Sequence, residues 1–225
     1  MVMKSVIRWC VAVLWLVALP SPAAAAAPAA PPTTSELLRC VQARYGSLRD
    51  LSARFEQESR VATLGRPRTR AGRMTFQAKG RMRWEYDPPD RQLLVADGKT
   101  LWFYRPEQKQ VVAQRMDAAF SRQTPMLFLL GKGDFAAEFT WEEAPPPPGP
   151  AGTVRLALRP RAETPDLVGL ALDVEVDGCR LAGTSVEDAF GNVTALVFRD
   201  EVRDAGADAA LFRFTPPPGT EVVRP

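Results

Sequence analysis

The candidate residues for acid–base chemistry in this chain are carboxylates, Glu85 with Asp87 and Glu142 with Glu143. The first pair could in principle act as a general acid and base. Neither pair has the company a catalytic centre needs. The chain contains no histidine, which removes Ser-His-Asp and Cys-His catalysis and every His-containing metal site. It has no Gly-x-Ser-x-Gly elbow, phosphate-binding glycine loop or Cys-x-x-Cys pair. No spacing suggests a Ser-Lys couple. Carboxylates in strand-edge and loop settings are more often solvated faces and turn formers, so the expectation is a protein that is not an enzyme. What remains is apolar: Met74, Phe76, Met82, Trp84, Tyr86, Trp102, Phe103 and Tyr104. Such side chains either cover a large core or line an adaptable pocket for an apolar ligand.

The elements that must position them crowd into residues 72–112. Strand-like runs there are separated by turn signals at Lys79-Gly80, Asp87-Pro88-Pro89-Asp90, Asp97-Gly98 and Arg105-Pro106. Strands this close together are joined as an antiparallel meander. Alternation is cleanest at residues 81–86, where Met82, Trp84 and Tyr86 oppose Arg81, Arg83 and Glu85. Thr33, Thr34 and Ser35 before Glu36 mark a helix start, and Leu37, Leu38, Val41 and Tyr45 form its apolar stripe. A first strand spans 51–61. Residues 118–130, with Thr124-Pro125 at a helix start and Gly131 at the stop, read as one or two short helices apolar nearly all round. Residues 135–141 read as a strand, and further strands are expected at 154–159, 170–176, 180–187 and 192–199. The tally is mainly β with a few helices on one side of a curved sheet or open barrel.

The first residues place the chain in the cell. Lys4 and Arg8 precede a short apolar run ending at Leu19, then Pro20 and a small-residue stretch to Ala27. This is the pattern of a cleaved secretory signal peptide over 1–27, and the run is short against the roughly 20 residues of a membrane span. Residues 28–32 form a flexible lead-in, and 33–225 a single domain. Without Lys4 and Arg8, the 29 basic and 26 acidic residues lie within about one charge of balance, which argues against nucleic acid as a partner. Arg66, Arg68 and Arg70 read as a solvated loop. Cys40 and Cys179 remain in the exported chain, where a disulfide is permitted. Nothing in the sequence brings them together, and one semi-buried helical cysteine plus one turn cysteine is the simpler reading.

Several motifs in one order then carry a resemblance. Asp97-Gly98-Lys99-Thr100-Leu101-Trp102-Phe103-Tyr104 closely resembles the hairpin signature of the periplasmic outer-membrane lipoprotein carrier (LolA) family. Phe55-x-Gln57, Gly72, Arg83-Trp84-Glu85-Tyr86 before Pro88-Pro89, Thr124-Pro125 and Phe212-x-Phe214-Thr215-Pro216-Pro217-x-Gly219 fit the same order. The resemblance implies an incomplete, half-open antiparallel β-barrel with a lid of short helices over an apolar cavity. It implies a periplasmic chaperone for triacylated lipoproteins, taking them from an inner-membrane ABC-type releasing complex to an outer-membrane receptor. No cofactor or metal is implied, and a monomer is expected. The lipid-binding residues would be Met74, Phe76, Met82, Trp84, Tyr86, Phe103, Met126, Leu129 and Leu130. Where the family often has Lys-Arg-Pro, whose Arg latches the lid, this chain has Gln77-Ala78-Lys79, which leaves Lys79 as a point donor without the guanidinium fork. The alternative on the same fold is a non-catalytic sensor or general lipid-binding module.

Overall fold

The computed structural model describes residues 31–116, 134–143, 147–162 and 165–224. Helix α1 (Thr34–Gly46) begins where its capping chemistry dictates. The Thr33 side chain accepts from the Glu36 amide, and the Glu36 carboxylate accepts in return from the Thr33 amide, a reciprocal cap. Its stripe of Leu37, Leu38, Val41 and Tyr45 is buried as the spacing predicts.

Among the described residues the strands are β1 (Asp50–Arg60), β2 (Arg68–Gln77), β3 (Arg81–Tyr86), β4 (Leu93–Asp97), β5 (Thr100–Arg105), β6 (Gln110–Arg115), β7 (Phe139–Trp141), β8 (Val154–Pro160), β9 (Gly169–Val174), β10 (Leu181–Glu187), β11 (Val193–Arg203) and β12 (Glu221–Val223). They form one 12-stranded sheet in the order β12-β6-β5-β4-β3-β2-β1-β11-β10-β9-β8-β7. The end strands do not pair with each other, so the barrel is left open as expected. All pairings are antiparallel except β12 on β6. That last strand has no forerunner in the sequence reading, because three residues after a Pro-rich run carry no alternation to read.

Two other expectations change. Residues 135–141 are not one strand: α2 (Phe135–Glu138) is a single helical turn capped by Asp134, whose side chain accepts from the Ala136 and Ala137 amides, and only Phe139–Trp141 is extended. The eleventh strand does not stop at Arg199. Asp200, at φ 53°, sits in a register shift of β11 against β1, after which pairing resumes to Arg203. A bulge breaks the two-residue alternation and re-aims the next side chain. Here that side chain is Glu201, nearly buried, which accepts from Arg44 Nη2 at 2.7 Å and from the Tyr45 hydroxyl at 2.8 Å. Burial and the Glu201 charge push the Tyr45 phenol well above its ordinary pKa.

Cys40 and Cys179 are joined in a disulfide, with Cα atoms 5.9 Å apart. The unpaired reading is therefore corrected. The β9–β10 turn carries Gly178 and Cys179 at positive φ, a reversal that brings Cys179 beneath the helix, and sequence separation conceals such a contact. The C-terminal segment wraps the outer face: Phe212 is buried, and the Phe214 ring lies 5.8 Å from Trp102 and 5.7 Å from Tyr104.

Candidate functional site

Register sorts the meander into rows. On the inner face Ala53, Met74, Trp84, Leu94 and Phe103 lie opposite one another across five strands. Beside them runs the row Leu51, Phe76, Met82, Ala96 and Leu101. Met74, Phe76, Met82 and Trp84 are all buried in one apolar cluster with the α1 stripe. Tyr86 and Phe103 face the same way but are only partly buried, at the rim. The Arg105 guanidinium stands 5.2 Å over the Phe103 ring.

Trp102 and Tyr104 do not belong to this face. Neighbouring residues of a strand point to opposite sides, so the run Trp102-Phe103-Tyr104 cannot line one surface. Both flank Phe214 on the outer face, where Val95, Val111 and Phe212 make a second buried group. The single aromatic face expected from sequence is thus two faces with different tasks.

Phe55 is the central residue that sequence reasoning misses in the site. Its ring lies 4.4 Å from that of Trp84 and meets Tyr86 edge-on at 5.1 Å, while Phe76 meets Trp84 at 6.1 Å. Gly72 makes room for it. A Cβ there would fall 2.7 Å from the Phe55 ring and 2.0 Å from the Glu85 carbonyl. The signal is present in Phe55-x-Gln57 and Gly72, but only the register puts the two opposite each other.

The polar groups of this wall are few. The Tyr86 hydroxyl donates to Gln57 Oε1 at 2.8 Å. Burial raises the Tyr86 pKa, against the opposing charge of Arg70. The indole N–H of Trp84 is buried without a hydrogen-bond acceptor, although the Tyr86 hydroxyl lies close enough for the two to interact electrostatically.

The remaining expected residues fall elsewhere. Lys79 is exposed in the β2–β3 turn at φ 70°, and its side chain makes no hydrogen bond or ion pair among the described residues. Met126, Leu129 and Leu130, with the helix expected over 118–130, lie outside the described residues, as does the segment 1–27. Three of the candidate carboxylates are engaged in surface bonds: Glu85 with Arg83 at 2.5 Å, Asp87 with Arg54 at 3.0 Å, and Glu143 with the Ser35 hydroxyl and Trp141 Nε1, while Glu142 is exposed. A separate cleft of about 450 Å³ opens on the outer face of β7–β10, bordered by Thr140, Ala157, Arg159, Ala171, Ser185 and Glu187. No described helix is long and apolar enough to cross a membrane.

Comparison with known proteins agrees with this architecture. The family "Outer membrane lipoprotein carrier protein LolA" matches residues 46–215. An outer-membrane lipoprotein carrier protein of Chromobacterium violaceum is 32% identical over 202 residues, covering 89% of this chain and 94% of its own length. One of Methylococcus capsulatus is 34% identical over 177 residues, covering 78% and 82%. Among solved structures, an uncharacterised conserved protein from Thermus thermophilus superposes with a TM-score of 0.51 at 19% identity, over 85% of this chain and 98% of that one. The family match runs from the end of α1, through the Phe55–Trp84 wall, to the Phe214 that covers Trp102, and on this ground the chain belongs to the LolA family of outer-membrane lipoprotein carrier proteins.

Proposed function

We propose that this protein is a periplasmic carrier that shields the acyl chains of lipoproteins against the inner face of its open sheet. It would be exported by cleavage of residues 1–27 and act without catalysis. Its finer partners would be an ABC-type releasing complex at the inner membrane and a receptor at the outer membrane. The observation that carries this reading is the wall of Met74, Phe76, Met82 and Trp84 with Phe55, buried on the inner face of an unclosed sheet in a chain of this family.

Energetics favour a loose grip over a tight one. Moving three acyl chains out of water at about 0.8 kcal/mol per methylene totals roughly 30–40 kcal/mol. Non-covalent affinities saturate near about 20 kcal/mol, and cargo held that firmly would not be released. Methionine and offset aromatic rings shield chains without fitting any one conformation closely.

The test is whether the mature protein frees a triacylated lipoprotein from spheroplasts into a soluble complex. Release, with acyl chains found on the purified complex by mass spectrometry, is expected. No release and no bound lipid would overturn the proposal.

A further inference from the structure

Single apolar residues scattered on a surface are ordinary, whereas a pair presented by bridged turns needs a reason. Phe190 is 75% exposed and Leu64 is 64% exposed, the two most exposed large apolar side chains among the described residues. They sit on neighbouring tips at one end of the sheet: Leu64 in the loop between β1 and β2, Phe190 in the turn between β10 and β11. The tips are bridged. The Ala62 amide donates to Asn192 Oδ1 at 2.9 Å, and a Cβ on Gly191 would lie 3.7 Å from that of Ala62.

Neither tip is loosely built. Asp188 Oδ1 accepts from the amides of Phe190 at 2.8 Å and Asn192 at 2.9 Å, and Asn192 Nδ2 donates to Asp188 Oδ2 at 2.8 Å. The Leu64 amide closes a turn on the Val61 carbonyl at 2.9 Å. The backbone beneath the two apolar groups is therefore already ordered, and burial against something else costs only the freedom of the side chains themselves.

The charge around the Leu64 tip is one-sided, whereas the Phe190 turn carries Glu187 and Asp188. No acidic residue lies between Glu58 and Glu85, while Arg60, Arg66, Arg68 and Arg70 flank the Leu64 loop. Arg60 pairs with Glu58, and Arg68 and Arg70 share the single carboxylate of Asp90. Arg66 has no partner among the described residues, so the loop keeps a positive excess.

We infer that the Leu64 and Phe190 tips dock the protein, reversibly, on the surface of an anionic phospholipid bilayer. A convex pair of apolar side chains needs no matching pocket in a fluid interface, and the flanking arginines meet phosphate groups there. Two side chains are too few to anchor a protein, so contact is brief and salt-sensitive. The inference is separate from the carrier reading, because its test uses cargo-free protein and vesicles free of lipoprotein.

The test is flotation of the mature protein with vesicles of phosphatidylethanolamine and phosphatidylglycerol, against vesicles of phosphatidylcholine alone. Co-flotation with the anionic vesicles that weakens at high salt is expected. The double variant Leu64→Ser/Phe190→Ser should lower the partition coefficient by at least about tenfold, from lost apolar burial. Arg66→Glu should lower it by about fivefold through the surface potential. Both positions are exposed, and unchanged circular dichroism would confirm folding. Phe190→Trp supplies a direct readout: brominated lipid should quench the added indole beyond the wild-type signal. Absence of anionic-vesicle binding, or binding that the double variant retains in full, would overturn the inference.

Discussion

The two halves of the inner face are built from different materials. Across β2 and β3 the wall is methionine and aromatic: Met74, Phe76, Met82 and Trp84. Across β8 to β10 it is aliphatic: Leu156, Leu158, Leu170, Leu172, Val174 and Leu181. Helix α1 is strapped to the aliphatic half. Beyond the Cys40–Cys179 disulfide, Arg44 Nη1 donates to the Gly178 carbonyl at 3.0 Å, and the Leu181 amide donates to the Tyr45 hydroxyl at 2.9 Å. Near the start of the helix Ser35 bonds Glu143, and further along Gln42 accepts from the Phe135 amide at 3.3 Å. Branched and γ-branched side chains in fixed rotamers make a wall with one shape, while methionine tolerates several. One half therefore has a fixed shape, and the other is the more adaptable.

Removing the strap is the largest way to break this contrast. Cys40 and Cys179 are 139 residues apart in sequence, and a cross-link over so long a loop stabilises by about 3–5 kcal/mol in the chain-entropy account. The Cys40→Ser/Cys179→Ser variant should show a clear drop in denaturant midpoint, and wild-type protein in reductant should match it. An unmoved midpoint would mean that hydrogen bonds alone hold α1.

Truncation and reshaping compare the two walls directly. Leu156 is fully buried, and Leu156→Ala should cost about 2–5 kcal/mol of stability through the cavity it leaves. Met82 is equally buried, yet Met82→Leu conserves volume and should cost less than about 1.5 kcal/mol. Its effect should instead appear in cargo handling, slowing transfer to acceptor membranes more than uptake. Equal transfer by Met82→Leu and wild type would erase the functional half of the contrast.

The smallest effect is that of acid. Asn192 holds Asp188 below the usual carboxylate range, Arg68 does the same for Asp90, and the Arg49 amide does so for Asp204. A carboxylate with a depressed folded pKa adds stability that is complete above its unfolded value and is lost as pH falls through the folded one. Unfolding free energy should stay level from about pH 5 to about pH 8 and decline below about pH 4. These groups lie in turns and loops, outside either wall, so wild type and Met82→Leu should share the same acid limb. Different limbs would tie the turns to the adaptable wall.

Most of this architecture is legible without coordinates where a local period carries it. The helix start at Thr33–Glu36 and the alternation of Met82, Trp84 and Tyr86 need only the capping rule and a two-residue repeat. Sequence reasoning fails where distance or irregularity intervenes. The bulge at Asp200 hides four residues of β11. Trp102 and Tyr104, apolar and adjacent to Phe103, read as part of the inner face because composition does not record which side a strand residue takes. Phe55 is visible as a motif but not as a ring over Trp84.

Residue types alone thus determined that the chain offers no histidine-based chemistry and a sheet rich in methionine and aromatic side chains. Local periodicity, set by bonds a few residues long, determined most of the strands and where α1 begins. Only the tertiary structure decided that Phe212 and Phe214 cover the outer face of the sheet, that Cys40 meets Cys179, and that Leu64 and Phe190 stand on neighbouring tips. Each of these pairs residues far apart in the chain, where register and turn geometry act and no sequence period reaches.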